Sequence, residues 1–132
     1  MEEKIKAIYK CEKLEGDDLL VIWHNQVIEK RVDELTVSDV ARCFRQNLFL
    51  EIAYEMLLVY LLHNPYEGDV YDGELMDKAS EIENGYIKKY KDTIIKIIEN
   101  AHRFIEKHEW EFEEDKSEYI ESVNRLANII NN

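Results

Sequence analysis

The chain predicts an all-α fold, and three observations carry that prediction. Glycine and proline are scarce, four and one among 132 residues, which leaves little of the turn chemistry that a many-stranded β fold needs. Apolar residues recur at helical spacing through most of the chain. The stretch from Val37 to Leu62 holds neither glycine nor proline and would make a rod of about 39 Å at the α-helical rise. At 45% hydrophobic residues the chain is too apolar to stay disordered, and its length suits one domain with a real core. The expectation is a single-domain bundle over residues 1–132, with five to six helices around a central helix at about 37–62.

The elements are taken in chain order. From Glu2 to Leu14, Ile5, Ile8 and Tyr9 stand at helical spacing with Leu14 beyond them, a short amphipathic helix. Glu15-Gly16-Asp17 reads as a turn, with Asp17 or Asp18 as the cap of the next element. Leu19 to Trp23 has the composition of a strand, but Asn25 to Ile28 continue at helix-compatible spacing. The segment leans to helix as far as about Lys30, with a strand left open. Arg31 to Thr36 is a connector with Val32 and Leu35 facing inward.

The central helix opens at Thr36-x-x-Asp39, a variant of the capping box, with Ser38 as the alternative cap. Its first half carries Arg42, Arg45, Gln46 and Asn47 and meets water or a partner. Its second half is apolar almost all round, with Glu51 and Glu55 as its one wet stripe. Such a helix belongs to a core or a membrane. The charge-free apolar run Met56–Leu62 falls far short of the ~20 residues a bilayer needs, so a core is the better reading. Asn64-Pro65 ends the helix, since a residue before proline is driven out of the α region.

Asn64 to Leu75 reads N-P-Y-E-G-D-V-Y-D-G-E-L and holds half the glycines and the only proline. A helix comes next with Leu75, Met76, Ala79 and Ile82, reaching Asn84-Gly85 as a C-cap or a kink. A long helix from about Tyr86 to Glu109 has Ile87, Tyr90, Ile94, Ile97, Ile98, Ala101, Phe104 and Ile105 as its stripe. Asp115-x-x-Glu118 opens a last helix, with Tyr119, Ile120, Val123, Leu126, Ala127 and Ile130 on one face.

Charge narrows the function. There are 17 basic and 29 acidic side chains, a net of −12. The imbalance is steeper from Glu67 onward, with 9 basic and 17 acidic, than before it, with 8 and 12. An acidic surface repels phosphate and attracts basic partners, so direct nucleic-acid binding is not expected and a basic protein partner is. The N-terminal M-E-E-K-I-K lacks the apolar core of a signal peptide, which makes the cytoplasm the default location. Cys11 and Cys43 form no C-x-x-C pair and read as packing residues.

Motifs for chemistry are thin. His24, His63, His102 and His108 include no pair at i+3 or i+4, so neither a metal nor another cofactor is expected. Asp69 to Glu74 lacks the residue order of a calcium loop. Arg103 and His108 match R-x4-H, the spacing of the HEPN ribonucleases, where arginine would stabilise a phosphate and histidine would move a proton. Five residues on a regular helix rotate by about 140°, so the two would not face together. Their acidic flank would also repel RNA. The pair reads better as surface residues, with a HEPN-like ribonuclease kept as the alternative.

Two acidic clusters remain. Glu67 to Glu83 carries seven carboxylates and one lysine, and Glu106 to Glu118 seven carboxylates against two lysines. The bland reading is a solvated surface. The functional one is a contact patch built from Tyr66, Glu67, Asp69, Tyr71, Asp72 and Glu74, with Glu109, Glu111, Glu113, Glu114 and Asp115 as a second. Tyrosine beside carboxylates suits a protein interface, although Tyr71 would equally plug the loop onto the core. Trp110 and Phe112, among the carboxylates of the second patch, allow the same two readings.

The order of three segments resembles the immunity proteins of contact-dependent growth inhibition (CDI) systems. They are D-E-L-T-V-S-D-V-A-R (Asp33 to Arg42), R-Q-N (Arg45 to Asn47) and the loop N-P-Y-E-G-D-V-Y-D-G-E-L. The resemblance covers about Arg31 to Ala79. It implies a small cytoplasmic, non-enzymatic protein that binds the C-terminal toxin domain of a delivered effector and blocks it. Such toxins are often nucleases, and an acidic protein complements the basic cleft a nuclease presents to phosphate. The role is what the resemblance supports; the contact residues rest on the composition and position of the loop.

Overall fold

Local capping chemistry sets several helix ends in this chain, among them the break of the expected central helix, and a second expected long helix is broken as well. In a computed structural model that describes residues 3–132, the regular structure is eight α-helices and one 3-10 turn, with no strand among these residues. The all-α expectation holds, with more and shorter helices than the five to six expected. No helix among the described residues is long and apolar enough to cross a membrane. The chain divides into two compact units, Met1–Met56 and Leu57–Asn132.

The first unit begins with α1, Ile5–Tyr9, shorter than expected; Glu2 lies outside the described residues. Lys10 turns left-handed (φ 52°) and its N–H closes on the Lys6 carbonyl, which ends the helix. The free N–H groups at its start are taken by the chain ahead: Ile5 N donates to Lys30 O at 2.8 Å and Lys6 N to Ile28 O at 3.0 Å. Helix α2, Leu19–Val27, settles the helix-or-strand question for that segment, with Asp18 as its cap accepting from Val21 N at 2.9 Å. Val32 opens the 3-10 turn Val32–Glu34 and Leu35 follows it, and both are buried, as expected of the connector.

The expected central helix over residues 37–62 is two helices, α3 (Val37–Gln46) and α4 (Leu50–His63). Thr36 caps α3 reciprocally: Asp39 N donates to Thr36 Oγ1 at 3.0 Å and Thr36 N to Asp39 Oδ2 at 3.1 Å. The break comes at Asn47, left-handed at φ 56°. Its N–H reaches back to Phe44 O at 3.3 Å and Leu48 N to Cys43 O at 2.9 Å, the pair of bonds that terminates a helix around a left-handed residue. Asparagine tolerates that conformation better than most non-glycine residues. Phe49 is left-handed too (φ 53°), unusual for a bulky side chain, and its ring lies 4.9 Å from that of Tyr9. Helix α4 is largely buried, but Val59 and Leu62 are exposed, so it is less apolar in setting than in composition.

Asp39 organises this unit's interior. It is 7% exposed and accepts from Trp23 Nε1 at 3.1 Å and from Lys30 Nζ at 2.6 Å in addition to Thr36. Burial pushes its pKa up, but the bonds from Lys30, Thr36 and Trp23 outweigh that and hold it below the usual carboxylate range. Both cysteines are free thiols. That of Cys43 is buried, which raises its pKa to about 12.

The second unit runs from the C-terminal half of α4 through α5 (Glu74–Glu81), α6 (Asn84–Lys89), α7 (Lys91–Phe104) and α8 (Glu113–Asn131). Helix α8 packs on α5, α6 and α7 and is the centre of this unit. Its buried side chains are Tyr119, Ser122, Val123, Leu126 and Ile130, while Ile120 of the expected face is exposed. Asn84-Gly85 begins α6 rather than ending the helix before it, because the chain has already turned extended at Ile82 (ψ 162°). The helix expected over 86–109 is broken at Tyr90 and stops at Phe104, yet Ile87, Ile94, Ile97 and Ala101 are buried on both sides of the joint.

Candidate functional site

The proline–glycine loop of the second unit is a folded object held from inside. Glu74, only 2% exposed, turns its carboxylate back along the loop, where Oε1 accepts from Asp69 N at 3.0 Å and Val70 N at 2.9 Å. Gly73 N donates to Tyr66 O at 2.8 Å and Leu75 N to Glu67 O at 3.1 Å, which closes the loop at its base. Two glycines are steric necessities. A Cβ at Gly68 would overlap the carbonyl of Tyr71, and one at Gly73 (φ 87°) would stand 2.7 Å from the ring of Tyr119.

Beneath the loop lies an aromatic cluster. Tyr66 is buried and donates to Ala101 O at 2.6 Å; burial raises its pKa to about 12. Its ring is stacked on His108, centroids 4.3 Å apart and planes at 19°, and meets Trp110 edge-on at 5.7 Å. Trp110 in turn packs on Tyr119 at 5.2 Å, and Tyr119 donates to Pro65 O at 2.7 Å. Tyr71 is half-buried and donates to Asp77 Oδ2 at 2.9 Å, while Ser122 Oγ donates to Asp77 Oδ1 at 2.7 Å. Burial raises the Asp77 pKa, and the two hydrogen bonds only partly oppose it.

These rings join the two acidic clusters. His108 Nε2 hydrogen-bonds Asp72 Oδ2 at 2.9 Å, so the loop tip and the segment that begins at His108 stand side by side. Of the eleven residues nominated from sequence, Tyr66 and Glu74 are buried and act as scaffold. Glu67, Tyr71 and Asp115 are partly covered, and Asp69, Asp72, Glu109, Glu111, Glu113 and Glu114 are exposed. Glu113, Glu114 and Asp115 lie in the first turn of α8, where negative charge also offsets the helix dipole.

Two exposed apolar side chains stand among the carboxylates of this lip: Val70, which the sequence reading does not single out, and Phe112, whose exposure fits the interface reading rather than the core one. Val70 is 72% exposed beside Asp69, and Phe112 is 54% exposed between Glu111 and Glu113. A lone apolar residue inside an acidic run is the only trace Val70 leaves in the sequence. The R-x4-H pair divides: His108 belongs to the aromatic cluster, while Arg103 is exposed on the last turn of α7 with its guanidinium 6.0 Å from the ring of Phe104. Among the described residues no group of three His, Cys, Asp or Glu side chains is placed to hold a metal ion. What remains is an acidic surface with two apolar points, braced from beneath by the hydrogen bonds of Glu74 and the ring cluster.

Comparison with known proteins gives one result of substance. A family model described as CDI immunity proteins matches residues 5–97, well over half of the chain and including the whole of the proline–glycine loop. No curated protein matches the chain.

Proposed function

The chain belongs to the family of CDI immunity proteins, whose role is immunity against a CDI toxin, and on that premise we propose that its acidic lip masks the active site of a nuclease toxin. The observation that carries this reading is the junction at His108 and Asp72, which merges two acidic clusters into one surface. A nuclease needs a basic cleft for its substrate's phosphates. A lip carrying Asp69, Asp72, Glu109 and Glu111 supplies the complementary potential. Inhibition then requires occupancy and no chemistry, so the protein works as a binder in the cytoplasm rather than as an enzyme.

Charge at the rim sets mainly the rate of encounter, whereas tightness comes from desolvated anchors. Val70 and Phe112 are those anchors. The ring cluster beneath them fixes the lip before binding, which reduces the ordering cost of association.

The test uses the toxin domain encoded beside this protein. Isothermal titration and inhibition of nucleic-acid cleavage are measured for the unaltered chain, for Asp69→Lys with Asp72→Lys, and for Val70→Ala with Phe112→Ala. The truncations are expected to weaken binding by about 100-fold, through faster dissociation, and the charge reversals by about 10-fold, through slower association. Unchanged affinity in both pairs would remove the lip from the interface. A toxin that cleaves no nucleic acid would remove the nuclease assignment.

A further inference from the structure

A second surface of the same unit has the form of a docking groove. Helices α7 and α8 carry facing stripes at spacings of three and four residues: Ile95, Ile98 and His102 on one, with Ile105 just past its end, and Ile120, Val123, Ala127 and Ile130 on the other, of which Val123 and Ile130 are buried at the floor. Where these edges meet they leave two apolar depressions of about 150 and 140 Å³. Ile120 is 41% exposed on this seam. Such a stripe ordinarily faces a third helix, and ten residues of it span about 15 Å, three turns.

The charges at its edges say what kind of helix fits. Asp92 and Glu99, seven residues apart, align along one rim of α7, and Glu106 follows in the turn just past its end. Glu99 and Glu106 line the two depressions. Glu106 is 84% exposed and only loosely paired, 3.9 Å from Lys116. The α8 rim is uncharged at Ser117, Asn124 and Asn131, with Lys116 near its start as the one cation that reaches Glu106. A second copy of this chain, itself at −12, would bring a like-charged rim to this one.

We propose that the α7–α8 groove binds a basic amphipathic helix of the toxin, with lysine or arginine two turns apart against Glu99 and Glu106. This rests on the immunity reading above and adds a second contact to the lip. The family match ends at residue 97, so α8 and half of α7 lie beyond it.

The test takes the full chain and the toxin domain encoded beside it. Affinity is measured for Glu99→Lys with Glu106→Lys, which alters only exposed side chains, and for Ile120→Asp, with circular dichroism confirming the fold. Isoleucine methyl spectra are recorded with and without toxin. The groove assignment predicts a loss of about 30-fold for the double reversal and about 10-fold for Ile120→Asp, with the methyl signals of Ile98 and Ile120 shifted in the complex. Wild-type affinity in both variants, with those signals unmoved, overturns it even if the lip variants still fail to bind. A free dimer dispersed by Ile120→Asp without change in toxin affinity also overturns it and assigns the groove to self-association. If the unaltered chain does not bind the toxin, both readings fall together; if only the lip variants bind normally, the lip fails and the groove stands.

Discussion

At the scale of the residue, two buried carboxylates show how environment decides the sign of a pH effect. Asp39 is met by an ammonium, an indole N–H and a backbone N–H, and its folded pKa lies below the ordinary value of 3.8. A carboxylate depressed in the folded state contributes stability above its unfolded pKa and loses it as pH falls through the folded one. Asp39→Asn puts an amide where Lys30 and Thr36 need an acceptor, and is expected to cost about 2 kcal/mol at neutral pH. Urea denaturation should show that deficit undiminished above about pH 5 and fading below the unfolded value. Asp77 runs the other way. Burial raises its folded pKa, so its contribution to stability improves as pH falls through that raised value.

At the scale of the element, the proline–glycine loop behaves as one unit because its bonds are internal. Glu74 binds two N–H groups of the loop, Gly73 and Leu75 close its base, and Gly68 lets the Tyr71 carbonyl approach. Gly68→Ala must displace backbone and is expected to destabilise by about 2–3 kcal/mol, in the range of other single changes that force strain. Gly85→Ala serves as the control. Nothing lies within 4 Å of its added Cβ and it sits in α6, so a gain of about 0.5–1 kcal/mol is expected from the less flexible unfolded chain. Thermal melts of the pair read both signs. The first three helices obey similarly local rules: Asp18 starts α2 and Thr36 starts α3, while Lys10 stops α1 and Asn47 stops α3.

At the scale of the whole molecule, a net charge of −12 governs approach more than grip. If the partner is basic, its association rate should fall by about tenfold or more between about 0.05 and 0.5 M salt, as the Debye length shrinks from roughly 14 to 4 Å. Dissociation, controlled by desolvated anchors such as Phe112, should change far less. Stopped-flow mixing with the toxin domain separates the two rates. Equal salt dependence of both would assign the interface to charge alone.

The amino-acid sequence by itself determined the helical class, the narrowing of two caps to Asp17 or Asp18 and to Thr36 or Ser38, the stop at Asn64-Pro65, the inward Val32 and Leu35, and the family. Each of these depends on residues within a turn or two of one another, or on a short ordered pattern. It did not reveal the end of α3 at Asn47, because an asparagine is neutral until its backbone turns left-handed. Tertiary structure alone decided that Tyr66 and Glu74 support the lip from inside while Asp69, Val70 and Phe112 face out. It also brought Asp72 to His108, 36 residues away. That contact depends on how Tyr66, Trp110 and Tyr119 stack, and ring packing between distant segments has no period in the chain to betray it.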